Sequence, residues 1–389
     1  MRFLVLGAGL QGSACAYDLM QNDMVERVVL GDIDVSNLPP FLDRCRDDSR
    51  LSVVQVDARD EATLRELMKG VDAVLNALPY YFNVSIANLA VDAGVHYADL
   101  GGNTAMVFEQ LKLDAKAKER GITAIPDCGL APGMVNILAA EGIRRLRKPE
   151  SVKIRVGGLP QNPLPPLNYQ IVYSLHGVLD YYTTLSWVVR DGKPTQVDAL
   201  TEIEPVQFPE PVGELEAFHT AGGLSIMPWT YEGKVPTMEY KTLRYPGHAE
   251  LMHAIRSLGL LELEPVEVKG QSVVPRDVFI ACVEPRLRRP EGRDLVALRV
   301  EVEGLGEEGP TRLVWDLIDY FDAENGISAM ERTTGYSLSI TGQLQVGGRV
   351  RGPGVATPDQ AVPADAYVAE LGRRGIQIHF RQEPIAATA

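Results

Sequence analysis

Short apolar runs alternate with amphipathic stretches through the first third of the chain. Residues 3–6, 28–30, 52–56, 71–77, 96–100 and 122–126 are the apolar runs. Runs of this length between turn residues predict strands covered on both faces. Helical patterns fill the gaps, at 13–21, 38–48, 61–69, 84–93 and 107–120, with Gly70, Gly94 and Gly121 closing three of them. Strand and helix in alternation predict an α/β fold, a Rossmann-type doubly wound parallel sheet. A further helix starts near Pro132-Gly133 and carries an apolar stripe to Leu146. Beyond it the period changes. Residues 152–157, 168–174, 192–196, 201–206, 238–244, 264–268, 278–284 and 294–303 read as strands of an antiparallel-like sheet, interrupted by helices at 176–183 and 249–258. Helices at 328–346 and 364–374 and a strand at 376–380 carry apolar faces suited to packing back on the first unit. The expected division is a nucleotide domain of residues 1–128 and 329–389, and an α+β substrate and oligomerisation domain of residues 129–328.

The first turn of this pattern carries a fingerprint. Gly7, Gly9 and Gly12 stand in G-x-G-x-x-G order between the first strand and first helix, and Asp32 ends the second strand twenty residues past Gly12. Such a loop turns tightly, lets the backbone approach a pyrophosphate, and aims helix N–H groups at it; the acidic residue accepts from a ribose. A dinucleotide cofactor follows, held by Gly7, Gly9, Leu10, Gln11, Gly12, Asp32 and Ile33. Ligands in such sheets sit outside the carboxyl ends of the strands. Asp57, Ala58, Asn76, Ala77, Leu78, Pro79, Asp99, Gly101 and Gly102 lie there and join the cofactor set. Asp32 is followed by Ile33, Asp34 and Val35 with no adjacent cation, so NAD is expected over NADP.

Composition narrows the partners. The 389 residues carry a net charge of −14 and no basic run, which excludes nucleic acid and anionic membrane surfaces as expected partners. No apolar stretch approaches the ~18 residues of a membrane helix, and the N-terminal apolar run leads straight into the glycine loop, so a soluble cytoplasmic protein is expected. Four cysteines and six histidines lack ligand spacing, so no metal is expected.

Three segments carry candidate chemistry. In residues 241–248, Arg244 suits a carboxylate, Tyr245 follows it, and His248 suits acid–base work. The segment reads equally as a surface turn with a stacked Arg and a capping His. His219 and Thr220 precede a glycine turn; a satisfied turn histidine fits as well. Asn168 and Tyr169 follow a proline loop and could line a pocket. Asp127 stands at the sheet edge, either as a catalytic group beside the cofactor or as a helix N-cap.

Taken together, residues 5–12 (VLGAGLQG), 76–83 (NALPYYFN), 96–102 (HYADLGG), 127–139 (DCGLAPGMVNILA), 157–163 (GGLPQNP), 216–224 (EAFHTAGGL), 241–248 (KTLRYPGH) and 331–337 (ERTTGYS) resemble the saccharopine dehydrogenase-like family, most closely its lysine 6-dehydrogenase branch. The resemblance implies a Rossmann domain completed by C-terminal segments and a second domain that binds a small amino-acid substrate and forms dimers or dimer-based oligomers. It also implies NAD-linked oxidation at a C–N bond, here of the lysine ε-carbon to the semialdehyde. Ala131 departs from relatives that carry Asp in a GLDPG version of the motif, which weighs against saccharopine as substrate. Two other readings remain at this point: a reductase that joins an amine to a carbonyl, as in saccharopine or carboxynorspermidine formation, and a non-catalytic NAD sensor.

Overall fold

The computed structural model describes residues 1–385. Its first sheet holds β1 (Arg2–Leu6), β2 (Arg27–Asp32), β3 (Leu51–Gln55), β4 (Ala73–Asn76), β5 (His96–Asp99) and β6 (Thr123–Ile125), all parallel, in the order β3-β2-β1-β4-β5-β6. The strands are almost wholly apolar because helices cover both faces. Phe3, Val5, Leu75 and Ala98 face one core; Leu4, Leu6, Val74 and Tyr97 face the other. The chain reverses strand order between β1 and β4, which opens the crevice in which such sheets take ligands.

The second sheet is mixed. Its strands are β7 (Lys148–Pro160), β8 (Ser186–Arg190), β9 (Lys193–Val197), β10 (Glu204–Gln207), β11 (Glu214–His219) and β12 (Thr237–Arg244), followed, after the separate hairpin β13 (Val266–Val268) and β14 (Gln271–Val273), by β15 (Asp294–Leu305) and β16 (Pro310–Tyr320). β7 and β12 pair in parallel at the centre, and the other pairings are antiparallel. Its inner face is apolar. Ile154, Leu298, Val300 and Trp315 share one core with the crossing helix Met134–Arg145 and the long helix Ala329–Val346.

The long helix joins the two units. Ser328 and Glu331 form a capping box, with the Glu331 N–H donating to Ser328 Oγ at 3.1 Å and the Ser328 N–H to Glu331 Oε2 at 2.7 Å, worth about 1 kcal/mol. Asp294 of the second sheet accepts from the next two amides, Ala329 at 2.8 Å and Met330 at 2.9 Å. Farther along, Gly335 lies so close to the first nucleotide helix that a Cβ would stand 2.6 Å from the Gln11 carbonyl oxygen. C-terminal to this helix, β17 (Gly354–Val355) pairs with β6.

Several expected elements change. The final strand, β18 (His379–Pro384), pairs with β16 and extends the second sheet, not the first domain. Residues 278–284 are helical within Pro275–Leu287, because Pro275 and Asp277 start a helix that buries Ile280 and Leu287. Residues 168–174 form no strand; they begin at Asn168 with φ +48° and pack beside that helix, where the Ile171 N–H donates to the Leu287 carbonyl.

Candidate functional site

The glycine loop has the geometry its spacing predicts. Gly7 has φ +98°, and a Cβ on Gly12 would stand 1.8 Å from the Gly7 carbonyl oxygen, so any side chain there is excluded. A Cβ on Gly9 would meet nothing within 4 Å, which leaves open space above the loop. Gly9 is also the N-cap of the helix Leu10–Met20 and supplies no capping side chain. Its first-turn amides are thus available to a phosphate. Asp32 Oδ2 accepts from the Ala8 N–H at 2.6 Å and tethers the loop to the end of β2.

To one side of the loop lies a pocket of about 550 Å³ lined by Asp32, Ile33, Asp57, Ala58, Leu78 and Pro79. Arg59 lines it too, a cation that no spacing from Asp32 indicated. It is committed elsewhere: Nη2 donates to Asp57 Oδ2 at 2.7 Å and Nε to Oδ1 at 3.0 Å. That fork holds the Asp57 carboxyl down at about 2. Leu10 is exposed beside the loop.

To the other side, between the domains, is a cavity of about 230 Å³. Gln11, Gly101 and Gly102 line it from the first domain, Tyr173, Tyr181, Tyr240, Thr242 and Arg244 from the second, and Met330 and Thr334 from the long helix. The residues fit a dinucleotide running from the first pocket, over Gly9, to Gly101–Gly102.

Several expected contacts lie behind this edge. Asn76 is fully buried; its Nδ2 donates to Asn83 Oδ1 at 2.9 Å, and its Oδ1 accepts from the Leu78 N–H at 3.2 Å, so it shapes the loop from below. Ala77 packs beneath Gly12. Asp99 is buried and accepts four hydrogen bonds, from Gly101 N–H (2.7 Å), Asp127 N–H (3.1 Å), Tyr97 OH (2.8 Å) and Gln110 Nε2 (2.6 Å). With all its acceptor sites used, it braces Gly101 and Asp127 and has nothing left for a ligand.

Arg244 is the largest fully buried side chain. Nη1 donates to the Leu243 carbonyl at 2.8 Å, the guanidinium carbon lies 4.9 Å from the centre of the Tyr169 ring, and Nε has no protein partner. No carboxylate pairs with it among the described residues. A buried, unpaired cation costs several kcal/mol, so an anion is expected beside it. Asp127 lies directly behind Gly101, where a Cβ on that glycine would meet its Oδ1 at 1.8 Å. Its backbone is left-handed (φ +63°), and Oδ1 has no protein partner. Burial first, and then the Asp99 carboxylate, push its carboxyl up to about 8. It is no helix N-cap: Gly133 caps that helix.

The other second-domain candidates stand off the cavity. His248 is buried, with Nδ1 against the Leu167 carbonyl at 2.9 Å and Nε2 against the Tyr182 hydroxyl at 3.0 Å. Burial and then Arg244 lower it to about 3. A neutral ring with both nitrogens engaged positions Tyr182 and is unsuited to accepting a proton. Tyr169 lies under Arg244, Asn168 is in the loop beyond, and Tyr245 OH donates to the Pro160 carbonyl at 3.0 Å. Thr220 bonds Thr242 hydroxyl to hydroxyl at 2.7 Å and so supports a lining residue. His219 is on the opposite sheet face, with Nε2 3.1 Å from Glu202 Oε2. His219, Glu202 and Glu239 come close enough to share an ion. Arg190 takes that role: its Nη2 donates to both carboxylates at 3.0 Å.

Period-two counting back from Arg244 reaches Thr242 and Tyr240 on one strand face, the signal by which both lining residues could have been found. Nothing local marks Tyr173 or Tyr181.

Two family models match the chain: a saccharopine dehydrogenase NADP binding domain over residues 3–125, and a saccharopine dehydrogenase C-terminal domain over residues 129–376. The NADP-dependent, L-glutamate-forming saccharopine dehydrogenase of Schizosaccharomyces pombe is 21% identical over 397 residues, covering 84% of this chain and 87% of that protein. Carboxyaminopropylagmatine dehydrogenase of Synechocystis is 21% identical over 410 residues, covering 97% of each. Mouse mitochondrial alpha-aminoadipic semialdehyde synthase is 23% identical over 92% of this chain, which spans 45% of that relative's length. Among solved structures, apo saccharopine dehydrogenase (L-Glu forming) from Saccharomyces cerevisiae superposes with a TM-score of 0.80 at 21% identity, covering 98% of this chain and 99% of that one. A homospermidine synthase from Legionella pneumophila in complex with NAD gives 0.70 at 12% identity, covering 99% and 92%. At these identities the two structures establish the fold.

Proposed function

The chain belongs to the saccharopine dehydrogenase family, and on that premise we propose that it is an NAD-dependent dehydrogenase acting at a C–N bond of an amino acid, with L-lysine oxidised at its ε-carbon to the semialdehyde. The observation that carries this reading is Arg244, a buried cation without a counter-ion on the wall of a cavity whose other lining groups are uncharged. One cation invites one carboxylate, held by a charge-assisted fork.

Bound dinucleotide supplies the hydride acceptor. The chain's own groups do the rest. Arg244 anchors the α-carboxylate, and the Tyr173, Tyr181 and Tyr240 rings enclose the aliphatic stem and exclude water. Apolar walls disfavour an ammonium, so the amine loses its proton more readily than in water. Asp127, behind Gly101, receives that proton through one water. Burial, and then the Asp99 carboxylate, push its carboxyl up to about 8, so the carboxylate is populated as pH rises through that value. The rate constant kcat should therefore increase with pH through that region and flatten above it. Asp127→Asn should remove the inflection and lower kcat by about 10²–10⁴-fold, the usual worth of a positioned base. A wild-type profile flat from pH 6 to 10 refutes the role.

At the adenosine end, Asp32 faces the pocket with negative charge and Arg59 is already paired with Asp57. NAD is therefore favoured over NADP; equal KM values for the two oppose this.

A second reading, coupling of an amine to a keto acid as in saccharopine formation, takes support from the relatives' names. It requires further carboxylate anchors, and Arg244 is the one charged group lining the cavity. The deciding experiment measures NADH formation with L-lysine, saccharopine and polyamines. L-Lysine should be the best substrate; saccharopine turning over faster would establish the second reading.

A further inference from the structure

A polar seam runs away from the cavity floor through the domain junction. Asp127 and Ser225 are both buried, and both hold left-handed backbone, at φ +63° and +53°. Non-glycine residues keep such conformations only where the surroundings enforce them, and they concentrate at functional sites. The Ser225 hydroxyl and the Gly102 amide approach the Asp127 carboxyl. Beyond them are Thr357 and Asp359, both buried, with Thr357 and Tyr231 facing the Asp359 carboxyl. Asp359 is close enough for its charge to act on Asp127. Of the ten buried side-chain polar atoms without a protein partner among the described residues, four fall here: Asp127 Oδ1, Ser225 Oγ, Thr357 Oγ1 and Asp359 Oδ2. Buried polar groups left unpaired by protein are the sites that hold internal water. At the far end Arg144 is 49% exposed, and its Nη1 donates to the Asp359 backbone carbonyl at 3.4 Å.

We propose that Asp127, Ser225 and Asp359 form a water-bridged proton path from the cavity floor at Gly101–Gly102 to solvent beside Arg144 and Tyr231. The path rests on the dehydrogenase reading, whose chemistry requires it. A protonated primary amine, oxidised dinucleotide and water give an aldehyde, ammonium, reduced dinucleotide and one proton. That proton starts on the substrate nitrogen: an N–H bond breaks, the bridging water takes that proton as it gives one of its own to Asp127, and an O–H bond forms on the Asp127 carboxylate. It leaves through water and the Ser225 hydroxyl, which donates and accepts at once, to the Asp359 carboxylate and then to solvent water. Asp127 is again a carboxylate for the next turnover. No carboxylate lines the cavity itself. The groups facing Asp127 are Asp99, which is saturated by four donors, Cys128 and Tyr181; those facing Asp359 are Arg144 and Tyr231. Burial pushes both carboxyls upward, Asp127 to about 8 and Asp359 to about 6, so each can exchange a proton near neutral pH.

Infrared spectroscopy of the full chain at pH 7, without substrate, tests the path independently of the activity. A protonated-carboxyl band absent from Asp127→Asn identifies the Asp127 proton. On transfer to D2O, that band should shift within the mixing time in the wild type and at least tenfold more slowly in Ser225→Ala and Asp359→Asn. Unchanged exchange in these variants, or no band lost in Asp127→Asn, overturns the path. Should Asp359→Asn fail to fold, Ser225→Ala decides. With L-lysine and NAD, both variants should lower kcat and enlarge its solvent isotope effect while leaving KM unchanged; lowered KM-based affinity with an unaltered isotope effect overturns the path as well. If the substrate panel shows no NADH at all, the dehydrogenase reading fails while the exchange result still stands or falls alone.

Discussion

The two faces of β12 handle charge in opposite ways. Tyr240, Thr242 and Arg244 point inward, and Arg244 is buried among tyrosines with no carboxylate. Glu239 and Lys241, one residue out of phase, point outward into a network in which every buried charge has a partner. There Lys241 Nζ meets the Glu202 carbonyl at 2.7 Å and Glu204 at 3.5 Å, Glu239 holds Arg190, and on the adjacent β7 Arg155 is paired with Glu204 at 2.9 Å and with Glu301. Both faces bury cations in the same sheet. Only one of them leaves a cation waiting for a partner. Compensated charge is explained by the fold; uncompensated charge asks for a ligand.

Substituting one arginine on each face should separate these roles. The larger effect on stability belongs to Arg155→Met. It strands Glu301 and leaves Glu204 only Lys241 at 3.5 Å, and breaking a buried pair costs about 3–5 kcal/mol; the lower end applies because Glu204 is 32% exposed. Thermal unfolding should move down by several degrees, with kcat/KM unchanged for the folded fraction. Arg244→Met should reverse the pattern. Losing a hydrogen bond to a charged group costs about 1.5–3 kcal/mol, so kcat/KM for L-lysine should fall roughly 10–150-fold, mainly through KM. Stability should hold or rise, since an uncompensated buried charge has gone. If Arg244→Met unfolds as readily as Arg155→Met and KM is unmoved, the inner arginine is structural and the contrast collapses.

What was legible in the sequence divides along a related line. The adenosine end is built from one contiguous stretch, and Gly7, Gly9, Gly12 and Asp32 could be read because strand, turn and helix spacing fix their geometry locally. The reaction end is assembled from β12, the segment that holds Tyr173 and Tyr181, the long C-terminal helix and the Gly101 loop, distant in sequence. Arg244 was visible as a residue type suited to carboxylates, yet its burial and missing partner arise only from tertiary packing. His248 and His219 were attractive for their chemistry alone. Neither burial by Tyr182 and Leu167 nor a period-two phase that turns His219 outward could be seen without a register. Asp99 and Asn76 lay at the correct edge, but side chains at a strand end face either the ligand or the loop beneath it, and the apolar pattern cannot distinguish the two. The placement of β18 was hidden for a different reason: His379–Pro384 (HFRQEP) is mostly polar and exposed, so no apolar face directed it, and its backbone pairing with the edge strand β16 is a tertiary event.

The smallest expected effect belongs to the outward histidine. His219 Nδ1 lies 3.2 Å from the Tyr240 carbonyl, and Nε2 reaches Glu202, whose side chain is half exposed. A single hydrogen bond contributes about 0.5–1.5 kcal/mol net, and the Arg190 bridge between Glu202 and Glu239 survives without the ring. His219→Gln keeps a donor for one of these contacts. It should lower thermal stability slightly and leave both kcat and KM for L-lysine within a factor of two. Its ring is attached to the backbone two residues from Ala221, which does line the cavity, so proximity along the chain would predict a large kinetic effect and facing would predict none. A tenfold rise in KM would mean that the outer face communicates with the cavity through β11, and that compensated charge on this sheet is not merely structural.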